Sequence, residues 1–258
     1  MSVLTLPEPA NWPAGGRRVW RFTLVFVAIF VIGVVVSAHR ALLGDYVAAF
    51  FAIALLAPVT LLVVALQLVS RGRTSLRAGQ DGTGTTLRTD RTFSTLTLTT
   101  FGVYIPLGIA FVVFSLTGDL EVFASERARI AATVLMVFVV GTLITGLIGA
   151  WRRGGIGYVE LKPSGLDIAN IKSTESVAWA DVADVADHSE VTKKTRNAVV
   201  LRLRDGTEKT IDGADFYVPR GVGLYWMVRH YWRHADDRVE LTDARALQRL
   251  DEGRFDLT

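Results

Sequence analysis

Residues 130–155 read IAATVLMVFVVGTLITGLIGAWRRGG. The stretch 130–150 is long enough to cross the hydrocarbon core of a bilayer as a helix, and it contains no Asp, Glu, Lys or Arg. Two arginines and two glycines at 152–155 then end the apolar run. This junction divides the chain into a part with long apolar runs and a following part with short alternating segments.

Three more uncharged apolar runs precede this one, at Phe22–Ala38, Tyr46–Ser70 and about Leu96–Leu116. Four buried helices of a soluble protein would carry polar residues on one face at helical spacing, and these runs carry no charged residue at all. Hydrophobic residues make up 50% of the chain and the mean hydropathy is +0.35, which is high for a soluble protein of this length. The sequence therefore predicts an all-α membrane domain of four transmembrane helices at 20–153.

Arginines cluster beside these runs and indicate their orientation, because positive residues are retained on the cytoplasmic side during insertion. They lie before the first run (Arg17, Arg18, Arg21), between the second and third (Arg71, Arg73, Arg77, Arg88, Arg91) and after the fourth (Arg152, Arg153). We therefore expect a multi-pass protein of the cell membrane with both termini in the cytoplasm. Residues 1–19 are expected to form a flexible cytoplasmic tail. The cytoplasmic loop 71–95 is expected to be mobile, since it has almost no large apolar residue before Phe93.

Residues 155–258 have the alternating pattern of antiparallel β strands. In one predicted strand Val199, Leu201 and Leu203 share a face, and the strand runs into Asp205-Gly206, a strong hairpin signal. Six short strands are predicted between residues 158 and 212, and residues 214–218 are predicted to form a seventh.

Two helices are predicted after these strands. Leu224, Met227, Val228 and Tyr231 stand at the spacing of one apolar stripe, which predicts an amphipathic helix. Thr242 and Asp243 predict the start of a shorter helix through Leu250.

Three segments of this region resemble the PH-like domains of uncharacterised bacterial membrane proteins: YVELKPSGLDI at 158–168, WADV at 179–182 and LRLRDG at 201–206. The resemblance covers about the last hundred residues. It implies a cytoplasmic PH-like β-barrel or sandwich capped by an α-helix. It further implies a binding or scaffolding module rather than a catalyst.

Two groups of residues are candidates for contact with anionic lipid headgroups or a protein partner. Lys193, Lys194 and Arg196 form a basic turn, which is attracted to a negative leaflet or is simply a solvated hairpin tip. The helix after Gly223 carries Trp226, Arg229, Trp232 and Arg233 largely off its apolar stripe. Aromatic residues mixed with arginines suit a membrane interface or a partner surface, although the tryptophans could instead cap the β domain.

Few other residue patterns in the sequence suggest a metal site, an anion site or a catalytic site. His230 and His234 stand four residues apart but lack a third ligand of a zinc signature, so no metal is expected. Arg220 beside Gly221 at a helix N-terminus could hold an anion, or could mark an ordinary loop-to-helix connection. The chain has no cysteine and no catalytic signature, so we expect no enzyme and no cofactor. The basic residues crowd the ends of apolar runs, which favours a lipid bilayer over nucleic acid as partner.

These patterns leave two functions open. The first is an integral membrane binding or scaffold protein that presents the PH-like domain at the inner face of the membrane. The alternative is a small transporter or transporter subunit with a regulatory domain, for which Pro58 and Pro106 could mark broken helices. Prolines are also common in ordinary membrane helices. Small residues in the fourth run suit close helix packing, either within the chain or in a homo-oligomer.

Overall fold

A computed structural model describes residues 6–12, 17–120, 125–170, 173–191 and 195–257. The chain forms two compact units. Residues 18–67 and 95–152 form one, which we call the helical unit. The described residues of 1–17, 68–94 and 153–258 form the other, which we call the β unit.

Four helical stretches are long and apolar enough to cross a membrane, as the sequence predicts. Their helices are α1 (Arg17–Leu42), α2 (Tyr46–Ala54), α3 (Ala57–Ser70), α4 (Arg91–Thr117) and α5 (Glu126–Arg153), with α2 and α3 together making the second stretch. Large apolar side chains point outward from this unit, for example Val35, which is 63% exposed, and Phe138, which is 72% exposed. Such a surface is unfavourable in water and suits lipid.

The two prolines of the apolar runs behave differently. The second stretch is interrupted at Leu55 and Leu56, just before Pro58. Pro58 has no N–H to donate to the preceding turn, and its ring disfavours a continuous helix there. Pro106 lies inside α4 without interrupting it. The hydroxyl of Thr100 donates to the carbonyl of Pro58 over 3.1 Å, so α4 supplies a polar contact beside the interruption.

The β unit contains two antiparallel sheets and two helices. The first sheet has the order β1 (Arg77–Gln80), β2 (Thr85–Arg88), β3 (Tyr158–Lys162), β4 (Gly165–Ala169), β5 (Thr174–Ala178). The second has the order β6 (Val182–Ala186), β7 (Val199–Leu203), β8 (Glu208–Ile211). The helices are α6 (Val222–Arg233) and α7 (Arg245–Glu252). Leu161, Leu201 and Met227 are fully buried in one core that joins both sheets to α6.

The predicted β domain with a helix after its strands is confirmed, but its strands do not close into a barrel. Among the described strands, no hydrogen-bonded ladder connects the two sheets. One reason is that β2 occupies the free edge of β3, with Leu87 opposite Val159. The first sheet therefore extends outward to β1. The predicted seventh strand at 214–218 is also wrong: Gly213, with φ of 71°, reverses the chain into a 3-10 helix at Ala214–Phe216.

The loop 71–95, expected to be mobile and without a core, instead supplies β1 and β2 to the first sheet. Thr85 and Leu87 are fully buried, and the hydroxyl of Thr85 donates to the carbonyl of Leu241 over 2.8 Å. This segment is too polar to bury a core by itself. It becomes ordered because β3 offers a complete set of backbone partners and an existing apolar face.

Part of the tail 1–19, expected to be flexible, also packs on the β unit. Leu6 and Trp12 lie against its core. The indole N–H of Trp12 donates to the carbonyl of Ala198 over 3.0 Å. Asn11 donates through its backbone and its side chain to the carboxylate of Asp187, over 2.9 and 3.0 Å. These contacts offset the entropy lost when the tail is ordered.

Replacing Trp12 by Ala is expected to lower the free energy of opening of β7 by about 2 kcal/mol. About 1 kcal/mol comes from the lost hydrogen bond and about 1 kcal/mol from the edge-to-face contact with Tyr225, whose ring centroid lies 6.0 Å away. Amide exchange at Ala198 and its neighbours in the full chain measures it. Trp151→Ala, at a side chain that is 84% exposed, is the matched control. Unchanged exchange in Trp12→Ala would mean that the tail does not stabilise the sheet.

Candidate functional site

A polar cavity of about 290 Å³ lies within the β unit. Its walls come from four parts of the chain: the N-terminal segment, the end of α3, the segment just before β7 and the region around the 3-10 helix at Ala214–Phe216. The lining residues are Glu8, Trp12, Val69, Ser70, Arg71, Asn197, Asp215 and Arg220.

The end of α3 places Arg71 on the cavity wall. The backbone N–H of Gly72 donates to the carbonyl of Val69 over 2.8 Å, and that of Arg73 donates to the carbonyl of Leu68 over 3.0 Å. With Gly72 at a φ of +69°, this pattern is a Schellman cap, which satisfies the last carbonyls of the helix. Arg71 is therefore held at the helix terminus rather than in a free loop.

Arg220 reaches the same wall from a tight turn. The N–H of Gly221 donates to the carbonyl of Val218 over 2.8 Å, with Pro219 and Arg220 in the central positions. Proline followed by a residue of positive φ is the pattern of a type II turn, whose third position favours glycine. Here Arg220 occupies that position with a φ of 63°. Such a backbone costs an arginine free energy that the surrounding structure must supply.

Arg220 passes over Gly72, the residue that follows Arg71. A Cβ atom built on Gly72 would lie 3.3 Å from Cγ and 3.7 Å from Nε of Arg220, so the absence of a side chain lets Arg220 pass over the cap. Within the described part of the chain, neither Arg71 nor Arg220 makes an ion pair or a side-chain hydrogen bond. The cavity thus contains two guanidinium groups whose donors are available.

Asp215 forms the buried part of the wall. Its side chain is 3% exposed, and Oδ2 accepts a hydrogen bond from Nη2 of Arg196 over 2.5 Å. Its Oδ1 has no hydrogen-bond partner among the described residues. Burial raises the pKa of Asp215 above its ordinary value, and the charge of Arg196 opposes that rise. Arg196 therefore neutralises the buried carboxylate, so the remaining charged side chains of the cavity are Arg71, Arg220 and Glu8.

The segment after Arg71 is fixed to the same region by Thr74 and Ser75. The hydroxyl of Thr74 donates to the carbonyl of Asp215 over 2.9 Å. Asp90, which is 2% exposed, accepts hydrogen bonds from the backbone N–H and the hydroxyl of Ser75 over 2.9 and 2.6 Å. Asp90 also accepts from the N–H of Phe93 over 2.8 Å and so caps α4.

The basic turn predicted as a contact site is only partly described. Lys193 and Lys194 lie outside the described residues. Arg196 turns inward to Asp215, and its guanidinium carbon lies 5.2 Å from the centre of the Phe216 ring. Its side chain therefore supports the cavity wall rather than a basic tip.

The predicted contact residues of α6 mostly pack on their own unit. Trp226 is 8% exposed, and its indole N–H donates to the carbonyl of Pro7 over 2.9 Å. Arg229 lies 6.0 Å from the ring of Trp226 and donates to the carbonyl of Val185 over 3.3 Å. The indole N–H of Trp232 donates to the carbonyl of Val182 over 3.2 Å, and Arg233 lies 5.9 Å from its ring. The buried Trp226 cannot serve as an interface anchor in this arrangement.

The two histidines of α6 contact different carboxylates. Nε2 of His230 lies 2.9 Å from Oδ2 of Asp237, and Nε2 of His234 lies 3.4 Å from Oδ2 of Asp256. Across the described ranges, no group of three His, Cys, Asp or Glu residues is close enough to hold a metal ion.

Sequence reasoning did not identify the cavity. It assigned Arg71 to membrane orientation and weighed Arg220 alone, and it left Asp215 inside a predicted strand. The one local signal was an arginine between Pro219 and Gly221, where a turn favours glycine. Comparisons with protein-family models, with curated proteins and with solved structures gave no match for this chain.

Proposed function

We propose that this chain is an integral membrane binding protein. Four transmembrane helices hold a PH-like domain, the β unit, at the cytoplasmic face of the cell membrane. There the domain binds lipid headgroups or a protein partner through the cavity between α3 and the turn at 218–221.

The observation that carries this proposal is the composition of the β unit. It is assembled from residues before α1, residues between α3 and α4, and residues after α5. Four successive crossings place these three segments on the same side of a membrane, as folding into one unit requires. The arginine distribution reaches the same grouping independently and adds that this side is the cytoplasm.

The short connections to the helices support a role at the membrane surface. Ser70 ends α3 and is itself part of the cavity wall, and β3 begins five residues after Arg153 ends α5. Since α3 is part of a candidate span, its end lies at the depth of the lipid headgroups if the helix crosses the bilayer. A binding site there would meet ligands at or near the leaflet.

The transporter alternative is favoured by one observation, the interrupted second span. Discontinuous helices can form substrate sites near the middle of a membrane. The apolar runs contain no Asp, Glu, Lys, Arg or His that could couple transport to an ion, and Pro58 accounts for the interruption locally. The binding protein is therefore the better-supported function.

Single cysteines test the topology, because the natural chain contains no cysteine. Thr83 and Arg204 are exposed positions of the β unit. Leu43 directly follows α1 and Thr117 is the last residue of α4, and both helix ends are expected on the opposite side. In sealed cells, an impermeant maleimide is expected to label Leu43→Cys and Thr117→Cys and to leave Thr83→Cys and Arg204→Cys unmodified.

Permeabilised cells are the control, in which all four variants should react. Labelling of Thr83→Cys and Arg204→Cys in sealed cells would place the β unit outside and overturn the cytoplasmic assignment. Different behaviour of these two variants would contradict the four-crossing topology itself, since both positions belong to one folded unit.

A further inference from the structure

We propose that the cavity binds the phosphate group of a small phosphodiester, through Arg71 and Arg220. A lipid headgroup and a soluble phosphate ester share this chemistry. The choice of a lipid source rests on the function proposed above, whereas the phosphate chemistry rests on the cavity alone.

The donors of the cavity suit a phosphate. A guanidinium group offers several N–H donors in one plane and binds phosphate oxygens in pairs. Arg71 and Arg220 make no ion pair within the described residues and line the same cavity, with Arg220 passing over Gly72. Asp215 does not cancel their charge because it is already paired with Arg196.

The backbone around the cavity supports a binding role rather than a chance arrangement. Among the described residues, the only non-glycine positions with positive φ are Asn197 and Arg220, and both line this cavity. Strained backbone that the fold maintains is concentrated at functional sites. Gly221 keeps the turn closed, since a Cβ there would lie 2.8 Å from the backbone nitrogen of Asp215. The turn therefore holds Arg220 in one place at a cost that binding would justify.

Glu8 and Trp12 favour a ligand that is more than a bare phosphate. The cavity volume of about 290 Å³ suits a headgroup-sized molecule. Glu8 is exposed on the same wall and would repel an inorganic dianion. It would instead attract an amine attached to the phosphate, and the ring of Trp12 could contact the same cation. An amine-bearing phosphodiester such as glycerophosphoethanolamine matches both the arginines and Glu8.

The first experiment uses the full chain in detergent and measures binding by calorimetry. The probes are glycerophosphoethanolamine and, separately, inorganic phosphate. We expect tighter binding of glycerophosphoethanolamine than of inorganic phosphate. Arg71→Gln and Arg220→Gln should each weaken binding by about tenfold or more, because each removes a charge-assisted pair. Arg204→Gln, at an exposed arginine outside the cavity, should leave binding unchanged.

Two further variants separate lost binding from lost folding. Arg71→Lys and Arg220→Lys keep the charge but lose the paired donors, so binding should be intermediate between wild type and the glutamine variants. Amide exchange of β2 and β7 should match wild type in all of them. Glu8→Gln should reduce the preference for glycerophosphoethanolamine over inorganic phosphate.

The second experiment identifies the source of the phosphate. Native mass spectrometry of the full chain with added phosphatidylethanolamine should show a retained lipid that Arg71→Gln and Arg220→Gln lose and Arg204→Gln keeps. Binding in both experiments would assign a lipid headgroup, and binding of the soluble probe alone would assign a soluble ester. The proposal is overturned if glycerophosphoethanolamine does not bind, or binds equally to wild type and both glutamine variants. Neither experiment depends on which side of the membrane the β unit faces. The topology test could therefore fail while binding of the phosphodiester is still observed.

Discussion

Replacing Leu87 by Ala is expected to lower the free energy of opening of the β2–β3 pair by about 3 kcal/mol, the usual range for a large-to-small change in a packed core. Leu87 is fully buried and lies opposite Val159 in the register of the first sheet. Its removal would leave a cavity between the segment 71–95 and the core. Amide exchange at Val159 and Leu161 in the full chain measures the change.

Thr86→Ala is the matched control for this prediction. Thr86 precedes Leu87 on the same strand, points to the opposite face and is only half-buried. Its replacement should change the free energy of opening by about 0.5 kcal/mol or less. If the segment 71–95 were a mobile loop, as its composition alone suggests, the two variants would be indistinguishable.

Replacing Asp90 by Ala is also expected to destabilise the β unit by about 3 kcal/mol. About 1 kcal/mol is the ordinary cost of removing a helix cap, here that of α4. The remainder arises because the two hydrogen bonds that the buried carboxylate accepts from the N–H and hydroxyl of the exposed Ser75 are lost, at about 1 kcal/mol each. Amide exchange of Ser75 and Phe93 should report the loss directly.

The same carboxylate should contribute to the pH dependence of stability. Burial alone would raise the pKa of Asp90, but hydrogen bonds from Ser75 and Phe93 outweigh burial and hold it below its ordinary value of 3.8. The folded state therefore binds this proton less tightly than the unfolded state. Its stabilisation is present above the ordinary pKa and is lost as the pH falls through the lowered pKa. Asp215, whose pKa is raised, acts in the opposite sense.

Asp90→Asn isolates this contribution, because asparagine can still cap the helix but does not titrate. Between pH 7 and the acid range, the variant should lose less stability than wild type. Asp236→Asn, at an exposed position of the β unit, should keep the wild-type profile. Identical pH profiles for Asp90→Asn and wild type would show that the buried hydrogen bonds do not stabilise the charged form.

Much of the architecture could be predicted from local sequence because it depends on local signals. An uncharged apolar run of sufficient length has few alternatives to a membrane helix, since its backbone must satisfy itself in lipid. Alternation at Val199, Leu201 and Leu203 likewise indicates a strand, and Asp205-Gly206 indicates the turn that follows it. The helix containing Met227 follows from its apolar stripe.

The surroundings of the candidate site residues could not be predicted in the same way, because they depend on neighbours that are distant in sequence. Arg196 lies in a sequence typical of an exposed basic turn, yet its side chain points inward and pairs with the buried Asp215. Trp226 lies off the apolar stripe of its helix, where an exposed side chain is expected. Its indole N–H nevertheless donates to the carbonyl of Pro7. Arg71 and Arg220 share a cavity only because the Schellman cap and the turn at 218–221 bring two distant segments together.

The sequence by itself determined the four apolar helices and the existence of a C-terminal β domain, and its arginines predict which side of the membrane this domain faces. Each of these depends on composition or on periodicity within a single segment. Only the tertiary structure decided that the polar segment 71–95 completes the sheet, that residues 6–12 pack on it and that a cavity with two arginines lies beside α3. These features depend on the free edge and apolar surface that one segment offers to another, which no single segment carries in its own sequence.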